Sequence, residues 1–287
     1  MEQELGTGIM ATKGKIQQAL EKAKQRRQSL GSDVVTTADS MTAAQRHSAA
    51  QATFDAPEFP FDREQCIANH ILINDGKGPS NATAVASYRM LRTRILHRTR
   101  ANKWNIIGLT SPGAEDGKSV TALNLALTIA REKNNNVFLI DLDIRRPSVC
   151  EYLGVAPPIE INDFFNGTVS AKDVFFSIGI ENLTLAGTRT SNDNSSELLA
   201  TGQIDELFKY IRGVTAEPFI LVDLPPILAT DDALVMAPKV DACLLVLAEG
   251  RSRRDSTAKA LEMLADFSLA GIVLNRSKAI VDDYYGS

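Results

Sequence analysis

The sequence predicts an α/β protein, a mostly parallel β-sheet with helices on both faces, and three observations predict it. Short Val/Ile/Leu-rich runs at 105–109, 137–140, 219–222, 242–247 and 271–274 alternate with longer segments whose apolar residues recur at helical spacing. Strands buried on both faces read as continuous apolar runs of this kind. The first run enters a loop of small residues, Thr110-Ser111-Pro112-Gly113-Ala114-Glu115-Asp116-Gly117-Lys118-Ser119, that opens a helix. The runs at 137–140 and 219–222 lead directly into acids, Asp141 and Asp143 after one and Asp223 after the other. Right-handed crossovers place all the strand ends of a parallel sheet on one edge, where ligands of open α/β sheets bind.

In chain order, residues 1–60 read as an N-terminal helix and a disordered linker. Residues 12–28 carry a thin apolar stripe of Ile16, Ala19, Leu20 and Ala23 on an otherwise charged helix, which either frays alone or docks on a partner. From 29 to 60, Ser, Thr, Ala, Gln and Asp dominate and periodicity vanishes, the composition of a linker. Residues 61–100 form a helical extension of the core, with 61–74 expected to pack on it. The core spans 101–279. Its first strand, 105–109, is followed by a helix over 119–133 whose buried face is Leu123, Leu125, Ala126 and Ile129. A strand at 137–140 precedes a middle region, 160–180, expected to be helical in pieces. A short strand at 183–185, helices within 196–212, the strand at 219–222 and a helix near 231–237 follow. The strand at 242–247, a helix at 256–267 and a last strand at 271–274 complete the core. Residues 280–287 form a tail carrying Tyr284 and Tyr285.

The loop before the first long helix has the form of a phosphate cradle. A helix N-terminus leaves its first amides unpaired and carries partial positive charge, so backbone N–H groups from Gly113 through Ala114, Glu115, Asp116, Gly117, Lys118, Ser119 and Val120 can converge on phosphate oxygens. Lys118 adds a full charge toward the β/γ-phosphates, and Ser119 offers a hydroxyl to Mg²⁺. The first glycine of the usual G-x-x-x-x-G-K-S spacing is Pro112. An Asp at a strand end, such as Asp223, can hold a water of the Mg²⁺ shell. For phosphoryl transfer, positioning of the nucleophile and removal of its proton fall to Asp141 or Asp143. Arg145 either meets phosphate, holds the second acid, or forms a surface ion pair. After the last strand, Asn275 and Arg276 are either adenine contacts or an ordinary turn.

These motifs carry a resemblance. The phosphate loop, the Asp141-Leu142-Asp143-Ile144-Arg145 run after a hydrophobic triplet, and Asp223-Leu224-Pro225-Pro226 resemble Walker A, A′ and B of the bacterial tyrosine kinases. These are P-loop autokinases of capsule and exopolysaccharide synthesis. The resemblance covers residues 84–278 and includes a Glu197-Leu198-Leu199-Ala200 segment. It implies a P-loop NTPase fold of the MinD/ParA-like superfamily, with ATP and Mg²⁺ as ligands. It implies that Asp143 joins Ser119 and Asp223 around the metal, that Asp141 lies next to the incoming hydroxyl, and that Tyr284 and Tyr285 are phosphoacceptors, with the tail too short to reach its own site without unwinding. MinD/ParA ATPases carry a further lysine where this chain has Gly113, so an ATPase switch without protein kinase activity is the second reading. The family's Glu-x-x-Arg-x-x-Arg ring motif corresponds to Ala86, Arg89 and Arg92, which keeps both arginines and removes the glutamate. The implied partners are further copies of the chain and a membrane chain-length-determinant adaptor, the polysaccharide co-polymerase.

Composition agrees with these expectations. With 287 residues, 44% hydrophobic and 23% charged, the chain can bury one sizeable core. A net charge of −4 gives no electrostatic footprint for nucleic acid. Cys66, Cys150 and Cys243 have no ligand spacing and read as reduced, buried thiols. No apolar run reaches the roughly 18 residues of a membrane helix, and residues 1–10 lack a signal-peptide core. The expected location is the cytoplasm, with recruitment to the inner face of the membrane through a partner.

Overall fold

The structure, a computed structural model, describes residues 54–73, 81–132 and 135–277. Six strands, β1 (Ile106–Thr110), β2 (Val137–Asp141), β3 (Leu183–Ala186), β4 (Phe219–Asp223), β5 (Ala242–Ala248) and β6 (Leu269–Asn275), form one sheet in the order β3-β2-β4-β1-β5-β6. All five pairings are parallel. Alternation along each strand divides the core into two layers. Ile107, Leu109, Leu139, Leu221 and Leu244 face one layer; Ile106, Phe138, Ile140, Ile220 and Leu245 face the other.

The first layer is closed by α1 (Arg63–Ala68), α2 (Ala82–Asn102), α3 (Lys118–Ala130) and α4 (Val149–Leu153). The second is closed by α5 (Ile161–Phe165), α6 (Ser195–Ala200), α7 (Gln203–Val214), α8 (Asp232–Met236) and α9 (Arg254–Met263). Twelve of the thirteen residues of α3 are buried, all but Val120, so packing holds it in place. Helix α2 buries only Ile95, Leu96 and Thr99 over 21 residues. Its ends are fixed locally: the Asn81 side chain accepts from the Ala84 amide at 3.1 Å, and Lys103 closes the helix in the left-handed region at φ 58°.

The structure departs from expectation in a few places. Helix α9 spans Arg254–Met263 rather than 256–267, and β6 begins two residues early, at Leu269. In 160–180 only Ile161–Phe165 is helical. Beyond it, Asp173 turns the chain by accepting from the Ser170 amide at 3.0 Å, and Phe176 exchanges antiparallel backbone hydrogen bonds with Leu185. Residues 54–60, which composition assigns to linker, pack against the core. Phe54 stands edge-on to Phe138 and Phe175 with ring centroids 5.6 and 5.5 Å apart, packing a half-buried aromatic from a polar segment onto the core. Segment 61–73 also packs: Cys66 and Ile71 are buried, and Asn124 of α3 accepts from the Leu72 amide at 2.7 Å while donating to the His70 carbonyl at 3.0 Å. The expected helix at 12–28 lies outside the described residues, as does 29–53 of the expected linker. No helix among the described residues is long and apolar enough to cross a membrane.

Candidate active site

The parallel register sets Asp141 beside Asp223, and Leu109 beside Asp223, at the carboxyl edge of the sheet. The loop leaving β1 is braced from within. Ser111 donates to the Gly113 carbonyl at 2.7 Å, and the Gly113 amide donates to the buried Asp116 carboxylate at 3.0 Å. Gly117 takes φ 89°, a region that suits glycine. A side chain there is also excluded by space, because a Cβ would lie 1.9 Å from the Asn275 amide nitrogen. Helix α3 starts at Lys118 without a side-chain cap, which leaves its first N–H groups for a ligand.

Lys118 is folded onto the acids. Its Nζ lies 2.7 Å from Asp143 and 3.4 Å from Asp223, and donates to the Ser119 hydroxyl at 3.2 Å. Burial pulls the ammonium toward neutrality, but the carboxylates of Asp223, Asp143 and Asp141 outweigh it and hold its pKa above the ordinary lysine value. The second oxygen of Asp223 is buried with no hydrogen-bond partner among the described residues. Burial raises the Asp223 pKa, with Lys118 opposing.

Asp141 differs from Asp223. It is fully buried, and three backbone amides donate to it: Asp143 at 3.1 Å, Ser148 at 3.0 Å and Val149 at 3.0 Å. Burial and the neighbouring Asp223 push its pKa up to about 7 against Lys118 and these amides. The loop after β2 thus winds around Asp141 and delivers Asp143, Arg145 and Arg146 to the cleft. The resemblance implies that Asp141 lies next to the incoming hydroxyl; the structure buries it behind that loop.

The cleft has a volume of about 660 Å³ and is lined by the phosphate loop from Ala114 to Val120 except Asp116, and by Asp143, Arg145, Arg146, Tyr152, Thr230 and Arg276. Several of these residues escape sequence reasoning. Tyr152 and Thr230 belong to no motif. The partner of Arg145 also lies far away in sequence: its Nε donates to Ser195 at 2.8 Å and lies 3.5 Å from the fully buried Asp232, which accepts from Ser195 at 2.6 Å. Ser196 donates to Asp232 and, at 2.6 Å, to Asp231. A serine pair and an aspartate pair at two helix starts, 194–196 and 231–232, are the signal that could have linked them.

Other predicted residues are placed as follows. Asn275 donates to the Asp116 carbonyl at 3.1 Å and accepts from the Arg276 amide at 2.8 Å, so its amide braces the phosphate loop. Glu115 pairs with Arg251 at 2.5 Å. Arg92 lies 3.1 Å from Glu132, close enough for an ion pair though its Nε makes no hydrogen bond, and donates through Nη1 to the Thr128 carbonyl at 3.3 Å. Arg89 is exposed on the same helix. Tyr284 and Tyr285 lie outside the described residues. Cys66, Cys150 and Cys243 are free and buried.

No family model matches the chain. It is 28% identical over 201 residues to tyrosine-protein kinase YwqD of Bacillus subtilis (strain 168), covering 69% of this chain and 84% of that one. It is 29% identical over 203 residues to tyrosine-protein kinase CpsD of Streptococcus pneumoniae serotype 4, covering 69% and 86%. The match to tyrosine-protein kinase ptk of Acinetobacter johnsonii, 29% over 199 residues, spans 68% of this chain and 26% of that longer relative. Among solved structures, the VpsO kinase domain is 26% identical with a TM-score of 0.60, over 68% of this chain and 97% of that one. The kinase domain of Escherichia coli tyrosine kinase ETK shares the fold at 22% identity and TM-score 0.63, over 83% and 96%. Pyrococcus furiosus cell division ATPase MinD shares it more distantly, at 22% and 0.52, over 61% and 74%. In sequence and in fold together, the chain is similar to the bacterial tyrosine kinases.

Proposed function

We propose that the chain is an ATP-dependent protein-tyrosine autokinase of exopolysaccharide or capsule synthesis, with residues 101–279 as its kinase domain. One observation carries the reading. Lys118 is locked between Asp143 and Asp223 beside the phosphate loop, while one oxygen of Asp223 is buried and has no partner among the described residues. A buried acceptor left unpaired is costly unless a ligand completes it. A divalent cation fits that donor set: Ser119, Asp143 and Asp223 would hold Mg²⁺, which neutralises charge on the transferring phosphate when bound.

The protein's own groups do the remaining work. Loop amides and Lys118 orient the β/γ-phosphates of ATP. The tyrosine hydroxyl attacks the γ-phosphorus, the bond to ADP breaks, and the phenolic proton passes to a carboxylate at the cleft. Asp143 lines the cleft and Asp141 does not, which supports Asp143 in that role and Asp141 as the post around which its loop is wound. Arg145, tied to Asp232 and Ser195, holds the same loop from the other side. Tyr284 and Tyr285 are the proposed acceptors, phosphorylated by another copy, with activation through a membrane chain-length-determinant adaptor that recruits the protein to the inner face of the membrane. The family resemblance supports these last assignments.

Purified full-length protein incubated with labelled ATP and Mg²⁺ tests the reading. Label on alkali-stable phosphotyrosine, lost in the Tyr284→Phe/Tyr285→Phe variant, is the expected result. Phosphate release with no phosphotyrosine would replace it with the ATPase-switch reading.

A further inference from the structure

The outer margin of the sheet holds an apolar groove that adjoins the phosphoryl-transfer cleft at Arg276. Among the described residues, strand β6 pairs only with β5, and it faces α2 across a groove of about 380 Å³ lined by Met90, Leu91, Arg94, Ile272, Leu274 and Ser277. Three of these side chains stay half exposed: Met90 at 50%, Ile272 at 49% and Leu274 at 54%. Clustered apolar exposure of this kind marks an interaction surface. The surrounding charge has one sign. Helix α2 carries Arg89, Arg92, Arg94, Arg98 and Arg100 and no acid. Arg92 is held by Glu132, and Arg98 donates to the Ala270 carbonyl at 3.1 Å, whereas Arg94 has no ion pair among the described residues.

We propose that this groove binds the chain's own segment 279–283, Ala279-Ile280-Val281-Asp282-Asp283. Ile280 and Val281 match the aliphatic floor, and Asp282 and Asp283 match Arg94. Reach is assured by connectivity: Ser277 lines the groove, and Ile280 is three residues further on, at most about 10 Å away. A tether that short gives an effective concentration on the order of millimolar, so a weak contact suffices. The groove begins at Arg276, which it shares with the cleft, and runs back along β6 to Ile272. Seating 279–283 there therefore draws Tyr284 and Tyr285 away from the chain's own cleft and leaves them to the cleft of another copy. That consequence for the tyrosines rests on the proposed kinase function; the docking contact does not.

Hydrogen–deuterium exchange on the full-length protein without nucleotide tests the contact, comparing wild type, Arg94→Glu, Asp282→Lys/Asp283→Lys, and the combination of all three. Peptides covering 86–94 and 269–277 should exchange about tenfold faster in either charge-reversed protein than in wild type, and protection should return in the combination. Equal exchange in all four proteins would overturn the proposal. Protection that appears only as protein concentration rises would overturn it too, and would assign the groove to a second copy. Because the readout needs no catalysis, intact protection beside absent phosphotyrosine would remove the kinase reading and leave the docking contact standing.

Discussion

Two strand ends lie side by side in this sheet and carry the same residue type, yet their surroundings are opposite. At the end of β2, Asp141 accepts from three backbone amides and has no exposed surface. At the end of β4, Asp223 meets Lys118 and Ser119 and keeps one buried oxygen without a partner among the described residues. A carboxylate saturated by amides shapes the chain around it, whereas one with an unfilled oxygen is prepared for something that arrives later. Identical residues at neighbouring register positions thus divide into one carboxylate sealed by amides and one with an open oxygen.

Substitutions can break or sharpen this contrast. Lys118→Met should have the largest effect, because it removes the cation that pairs with Asp143 and Asp223: phosphotyrosine formation should fall by about 10³-fold or more in a labelled-ATP assay. Asp223→Asn should come next, lowering Mg²⁺-dependent activity by about 100-fold, with urea unfolding showing stability within about 1 kcal/mol of wild type. Asp141→Asn should do the reverse in kind, destabilising the fold by about 1–3 kcal/mol through lost backbone hydrogen bonds. Equal stability losses in the two variants would erase the distinction between post and acceptor.

The smallest expected effect is on pH dependence. The Asp141 pKa is pushed up to about 7 in the folded protein, so between the ordinary carboxylate range near 4 and about 7 the folded state binds more protons than the unfolded one. Stability of the metal-free protein should therefore fall as pH rises through that window and level off above it. Denaturant titrations at stepped pH check the slope, which Asp141→Asn should flatten.

Much of the fold is legible in the sequence because burial on both faces leaves a plain signature. The runs at 137–140 and 219–222 become β2 and β4 almost residue for residue. Boundaries blur where side chains decide them instead. Phe54 lies in a polar stretch, and only its contacts with Phe138 and Phe175 show that it belongs to the core. The phosphate loop is legible despite Pro112 because Gly117-Lys118-Ser119 sits between an apolar strand and a periodic helix. The Arg145–Asp232 pair is not, since the two residues lie 87 positions apart and Asp232 belongs to no motif.

By itself the sequence determined the order of strands and helices, the phosphate-binding loop and the acids that accompany it, since hydrophobic periodicity and turn chemistry are local properties of the chain. Which acid is sealed by amides, which keeps an open oxygen, where Arg145 is anchored and which face of α2 stays bare were decided only by tertiary structure. Burial and hydrogen-bond satisfaction depend on neighbours brought together from distant parts of the chain, and no local pattern records them.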